Sequence, residues 1–165
     1  GVDILDHGTM VDDEAIDLLL RTEAWLVSTL SATQAIVDAA DRGVPIPAES
    51  QALAREAVGA HRASFARAVD AGVKVAMGTD SPPYGHPFAS NLDELLLMTE
   101  ASSMTPADAW RAATANSAEL LRQNDLGDLA PGKFADLVVV NGEVDDLRGL
   151  RGRIRSVVLG GRRVR

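Results

Sequence analysis

The 165 residues include no cysteine, which excludes disulfide bonds and thiolate metal sites and points to the cytoplasm. No apolar run approaches the ~20 residues that a membrane-spanning helix needs, so a membrane protein is not expected. The first residues show no basic stretch followed by an apolar one, so no secretory signal is visible there. Nor is there a surplus of positive charge: the formal net charge of −8 argues against general nucleic-acid binding. No glycine-rich loop joins a strand to a helix, which speaks against a phosphate-cradling α/β domain.

What remains is ordinary for a globular chain. Hydrophobic residues make up 46% and charged residues 24%, enough for one domain with a sizeable core. The basic charge is concentrated at one end, with seven arginines and no acid from Arg148 to Arg165. No aromatic residue is interleaved with them to stack on bases. The simpler expectation is an exposed strand face near the acidic Glu143, Asp145 and Asp146.

Along the chain, Val2–Leu5 reads as a short strand running into Asp6-His7-Gly8. A helix follows from Asp12, with Asp12 or Asp13 as its N-cap. Trp25–Leu30 is a second strand, Thr33–Arg42 a short helix, and Ala48–Ala71 a long helix closed by Gly72. Val73–Met77 is a third strand, ending in Gly78-Thr79-Asp80-Ser81. This alternation predicts an α/β fold with a parallel sheet buried on both faces. After a loop over Pro82–Ser90, helices are expected at Asn91–Ala101, Pro106–Ala115 and Ser117–Arg122. Thr105-Pro106-Ala107-Asp108 supplies the capping hydroxyl, the N1 proline and the N3 acid of a helix start.

The character changes near residue 125. Asp136–Val140 and Ile154–Leu159 are strands, and Gly160-Gly161 signals a hairpin to Arg162–Arg165. The chain therefore divides into a β/α part, residues 1–125, and a small β part, residues 126–165. Three strand–helix units cannot close an eight-stranded barrel, which takes about 250 residues.

Two polar residues follow apolar strands directly, His7 after the first and Asp80 after the third. Ligands and catalysts sit at those strand ends in parallel α/β folds. Histidine is a common metal ligand, and aspartate is both a hard ligand and a proton acceptor. The residues alone leave the alternatives open, since His7 could be structural and Asp80 could cap a turn.

Several ordered segments then point one way. Gly1-Val2-Asp3-Ile4-Leu5-Asp6-His7-Gly8-Thr9 resembles the sixth-strand segment of the amidohydrolase superfamily, and Ala71–Ser81 resembles its eighth. Met104-Thr105-Pro106, Ala112-Ala113-Thr114 and Asn116–Leu121 are similar to the helices that follow. Leu126-Gly127, Pro131-Gly132-Lys133 and Ala135–Val139 resemble the return to the small β-sandwich. The nearest branch holds imidazolonepropionase-like enzymes and prolidase-like dipeptidases. The resemblance implies a partial (β/α)₈ TIM barrel, its last three strands, followed by part of a β-sandwich.

The resemblance further implies a hydrolase acting on a C–N bond in a small cyclic amide or dipeptide, with one or two divalent metals, expected to be Zn²⁺. His7 would bind the second metal of two-metal members or orient substrate in one-metal members. Asp80 would touch the metal and shuttle protons. The family's His-x-His pair, its fourth-strand lysine and its fifth-strand histidine are absent from these residues, so the chain alone is expected to be inactive. A non-catalytic binding module on the same scaffold is the alternative. His86 and Tyr84, in the loop after Asp80, are the candidate substrate contacts. His61 has the simpler reading of a surface or helix-packing residue, although similar His-x-x-Ser patterns occur in this branch. Trp25 and Trp110 are expected in the core, and Glu94 and Glu100 as solvated helix acids. Open strand edges would favour a homo-oligomer.

Overall fold

The computed structural model describes residues 1–81 and 91–165. Three strands form a parallel sheet in the order β1-β2-β3: β1 is Ile4–Asp6, β2 is Trp25–Ser28 and β3 is Lys74–Met77. Ile4 pairs with Trp25 and Trp25 with Lys74, while Ser28 pairs with Met77, so the three C-terminal ends lie side by side. The connections are helical, as parallel pairing demands. Helix α1 (Asp13–Thr22) joins β1 to β2, and α2 (Leu30–Asp41) and α3 (Ala48–Asp70) join β2 to β3.

Each helix has a local cause. Asp12 caps α1 by accepting from the Ala15 N–H at 2.9 Å. Gly72, at φ +87°, follows α3 and donates to the Val69 carbonyl at 2.9 Å, the left-handed exit that a glycine makes without a Cβ clash. Leu19, Leu26, Phe65, Val75 and Met98 meet in one core between the sheet and the helices.

Burial is less complete than the apolar strands suggest. β1 is an edge strand, with Ile4 39% exposed and Leu5 its one half-buried residue. Trp25 and Trp110 are half-buried rather than core residues. Trp25 lies under the Lys74 ammonium, 5.5 Å from the ring centroid, and Trp110 donates its indole N–H to the Val144 carbonyl at 3.0 Å. Both rings keep a polar partner that a dry core would deny them.

Beyond the second parallel edge come α4 (Asn91–Ala101), α5 (Pro106–Arg111), a π turn (Ala112–Asn116) and α6 (Ser117–Leu120). The reciprocal capping box of Thr105 and Asp108 starts α5. Gly78 N–H bonds the Ser28 carbonyl at 2.8 Å, so alternation turns the Val75 carbonyl to the outer edge of β3. There the Asn116 side-chain amide donates to it at 2.8 Å.

Strands β4 (Leu137–Val140), β5 (Ile154–Leu159) and β6 (Arg162–Arg163) form a second, antiparallel sheet in the order β4-β5-β6. Leu159 pairs with Arg162 across Gly160-Gly161, both at positive φ, the backbone that a two-residue hairpin requires. Short helix α7 (Leu150–Arg153) precedes β5, and Leu147 and Leu150 pack on Leu95 and Ala109 of the first region. Arg153 binds the carbonyls of Asn141 and Glu143 and lies 3.6 Å from Asp146 Oδ2, while Arg148 pairs with Glu100. Among the described residues, no helix is long and apolar enough to cross a membrane.

Candidate active site

The parallel register brings His7 and Asp80 to the same end of the sheet, as their places in the sequence suggest. His7 Nδ1 lies 4.0 Å from Asp80 Oδ2, with the side chains 49% and 65% exposed. Both residues adopt left-handed backbone, φ +69° for His7 and +42° for Asp80. Non-glycine residues rarely do so without being held there. Between the two strands stands Thr29, immediately after β2, whose hydroxyl shares a 2.9 Å hydrogen bond with His7 Nδ1. That contact occupies one ring nitrogen, so Nε2 is the one that could meet a ligand.

Behind His7 lies α3. His61 is 1% exposed, and its Nε2–H donates to the His7 carbonyl at 2.8 Å. Burial is the larger influence on His61 and pushes its pKa below the ordinary imidazole range, against the bond to His7 and the charge of Glu94. Nδ1 of His61 has no hydrogen-bond partner among the described residues, so a second ring proton would find no acceptor. Three residues along, the Ser64 hydroxyl donates to the Gly8 carbonyl at 2.6 Å. His61 is therefore buried rather than a surface residue, and its packing includes a polar contact to the turn that carries His7.

Glu94 corrects an expectation. It is fully buried, not solvated, and its carboxylate accepts three hydrogen bonds. Leu30 N–H donates at 2.9 Å, Ser31 N–H at 2.7 Å, and the Ser28 hydroxyl donates as well. An acid from α4 thus caps the N-terminus of α2, where two backbone donors have no partner inside the helix. It also fixes both neighbours of Thr29 and so the hydroxyl that meets His7. The signal was present in the spacing: Glu94 lies one turn before Met98, on the face that buries Leu95.

His7 and Asp80 fit two positions around a single cation, one imidazole and one carboxylate at the same sheet end. Among the described residues, no group of three histidine, aspartate or glutamate side chains gathers as a metal site. Tyr84 and His86 lie outside the described residues. Two shallow cavities of about 280 and 270 Å³ open elsewhere, one along β3 and α5 and one between α4, α5 and the second sheet.

Comparison with known proteins agrees with this geometry. A model of the amidohydrolase family matches residues 2–164. The chain is 33% identical to the imidazolonepropionase of Salinispora tropica over 142 residues, 86% of this chain and 31% of that protein. It is 33% identical to the ochratoxinase of Aspergillus niger over 117 residues, 71% of this chain and 23% of that one. The crystal structure of a Xaa-Pro dipeptidase with bound methionine superposes with a TM-score of 0.86 at 30% identity, covering 99% of this chain and 40% of the dipeptidase. The chain therefore spans less than half the length of each of these relatives. From its strand order, its two sheet-end residues and these matches, the chain belongs to the amidohydrolase family, in the branch of imidazolonepropionase-like and prolidase-like proteins.

Proposed function

We propose that this chain is the C-terminal portion of a metal-dependent hydrolase that cleaves a C–N bond in a small cyclic amide or dipeptide. In this reading residues 1–125 supply the last three strands of a (β/α)₈ barrel, and residues 126–165 supply part of a β-sandwich. The observation that carries it is the pair His7 and Asp80, 4.0 Å apart at the C-terminal end of a parallel sheet. In a barrel that end is where catalysis is built. The names of the relatives, an imidazolonepropionase and a Xaa-Pro dipeptidase, support the class of bond.

His7 and Asp80 are the ligands this chain would contribute to a divalent metal, Zn²⁺ being the expected ion. A metal held there supplies a Lewis acid that brings the pKa of water toward neutrality. The work of the chain itself is positional and protonic. The Asp80 carboxylate accepts the proton of the attacking water and returns it to the leaving nitrogen, both within reach of one side chain at the strand end. Thr29 holds the His7 ring so that one nitrogen stays directed away from the hydroxyl. Tyr84 and His86 follow Asp80 in sequence and are the proposed substrate contacts.

In the full-length protein, Asp80→Asn keeps the shape and removes the proton acceptor. Dipeptide and cyclic-amide hydrolysis should then fall by about 10²- to 10⁴-fold. Unchanged turnover in Asp80→Asn would remove the catalytic reading and leave a binding module on the same scaffold.

A further inference from the structure

The turn that carries His7 is strained in a way that its own sequence does not explain. Gly8 N–H bonds the Asp6 carbonyl at 2.9 Å, closing a three-residue turn around His7 at φ +69°. A γ-type turn with positive φ is rare, and a β-carbon at its centre makes it costly. Gly8 follows at φ +66°, pressed so close to β2 that a Cβ there would sit 2.5 Å from Leu26 Cδ1. Glycine takes positive φ freely, but a histidine there persists only where the surroundings over-determine it.

Here the surroundings are two side chains of α3. The carbonyls of His7 and Gly8 both turn toward that helix, where the His61 Nε2–H meets the first at 2.8 Å and the Ser64 hydroxyl the second at 2.6 Å. Residues three apart share a helix face, so the spacing of the two donors matches the spacing of consecutive carbonyls. Both are buried, His61 at 1% and Ser64 at 2% exposure. Packing alone gives no reason for an imidazole in this place. An apolar ring would fill the volume without stranding Nδ1, which has no partner among the described residues. The polar atom that is satisfied is the one aimed at His7.

We propose that His61 and Ser64 are positioning residues that clamp the strained turn and thereby present the His7 ring in a single orientation. The clamp acts on the backbone of His7, while the Thr29 hydroxyl acts on its ring at 2.9 Å. It rests on the reading of His7 as a ligand-bearing residue, and the test separates the two claims.

In the full-length protein, Zn²⁺ affinity is measured by competition with a chromophoric chelator, and amide exchange is followed at His7 and Gly8. The variants are Ser64→Ala, His61→Met, His61→Gln and His7→Ala. Loss of one clamp donor in Ser64→Ala or His61→Met should weaken Zn²⁺ binding about 10- to 100-fold, as losses behind a ligand do. It should also speed Gly8 exchange about tenfold or more, while the His7 N–H, bonded to the Val27 carbonyl at 3.0 Å, stays protected. His61→Gln carries an N–H with similar reach and should recover most of the loss. A merely structural role would lower the melting temperature and leave these readouts unmoved in the folded protein. Wild-type affinity and Gly8 exchange in folded Ser64→Ala and His61→Met overturn the clamp, as does a glutamine variant no better than methionine. Wild-type Zn²⁺ affinity in His7→Ala overturns the ligand reading instead, and the exchange rates then decide the clamp by themselves.

Discussion

The two regions of this molecule place their polar groups in opposite ways. In the parallel region, Ser28, Thr29, Ser31, His61, Ser64 and Glu94 are all buried, and they surround the end of the sheet that carries His7. Among the described residues, the antiparallel region buries no polar residue, and it leaves Val138, Val139, Leu159 and Val164 exposed. Burying a polar group costs free energy unless it is hydrogen-bonded. A region that does so repeatedly, with nearly every atom partnered, fixes geometry rather than merely excluding water. The antiparallel sheet holds its shape through strand pairing and a small apolar contact with α4 and α5. The parallel region thus both places the polar groups and buries most of the apolar surface, and the antiparallel region does little of either.

The sharpest way to break this contrast is at Glu94. Glu94→Ala strips the acceptor from Ser28, Leu30 and Ser31 at once. A loss on the order of 3–5 kcal/mol is expected, since each stranded buried donor costs about 1–3 kcal/mol. Glu94→Gln should cost less but not vanish, because one oxygen becomes an N–H facing the N–H of Ser31. Urea midpoints at unchanged slope would measure both. A loss below ~1 kcal/mol in Glu94→Ala would mean that the buried network contributes little to the first region.

A matched pair of glycines sharpens the contrast further. Gly8 and Gly160 both have positive φ, +66° and +55°, but a Cβ on Gly8 would meet Leu26 at 2.5 Å and one on Gly160 would meet nothing within 4 Å. Gly160→Ala should cost about 1–2 kcal/mol, the left-handed penalty alone. Gly8→Ala should cost that plus about 1–3 kcal/mol of overpacking. Equal melting-temperature shifts for the two variants would show that the turn beside His7 yields as freely as the hairpin.

The smallest effect belongs to the exposed cap of α5. The hydroxyl of Thr105, then its backbone N–H, hold the Asp108 carboxyl below its ordinary value of 3.8. A depressed folded pKa gives stability that is present above the unfolded pKa and lost as pH falls through the folded one. The stability difference between wild type and Asp108→Asn should therefore be constant near neutrality and shrink below about pH 3.8. A difference that persists unchanged to pH 2 would mean that the cap acts through shape rather than charge.

Strand and helix existence was legible because the apolar runs of β2 and β3 and the caps at Asp12 and Thr105 are local. His7 and Asp80 were legible because a parallel sheet aligns its strand ends whatever the helices between them do. What failed was non-local. The second strand reads on to Leu30 and the next helix reads from Thr33, yet β2 stops at Ser28 and α2 begins at Leu30. The cap that permits this early start is Glu94, more than 60 residues downstream, and no local window contains it. The clamp on His7 escapes for the same reason, since His61 and Ser64 meet carbonyls 54 and 56 residues away.

The π turn at Ala112–Asn116 carries a consequence for chain length. An α-helix advances ~100° per residue, and a π turn holds one residue more, so it shifts the angular phase of everything after it. Before it, Ala109 and Trp110 face Leu95 and Leu147. At its last residue, Asn116 reaches the Val75 carbonyl on the sheet edge, and beyond it Ala118 closes against Gly127. Deleting one residue from 112–115 would restore an unbroken α-helix and swing Asn116 away from that edge. The alanine-rich run therefore tolerates exchange of one small side chain for another far better than it tolerates a gain or loss of one. Here it is the count of residues, more than their identity, on which the geometry depends.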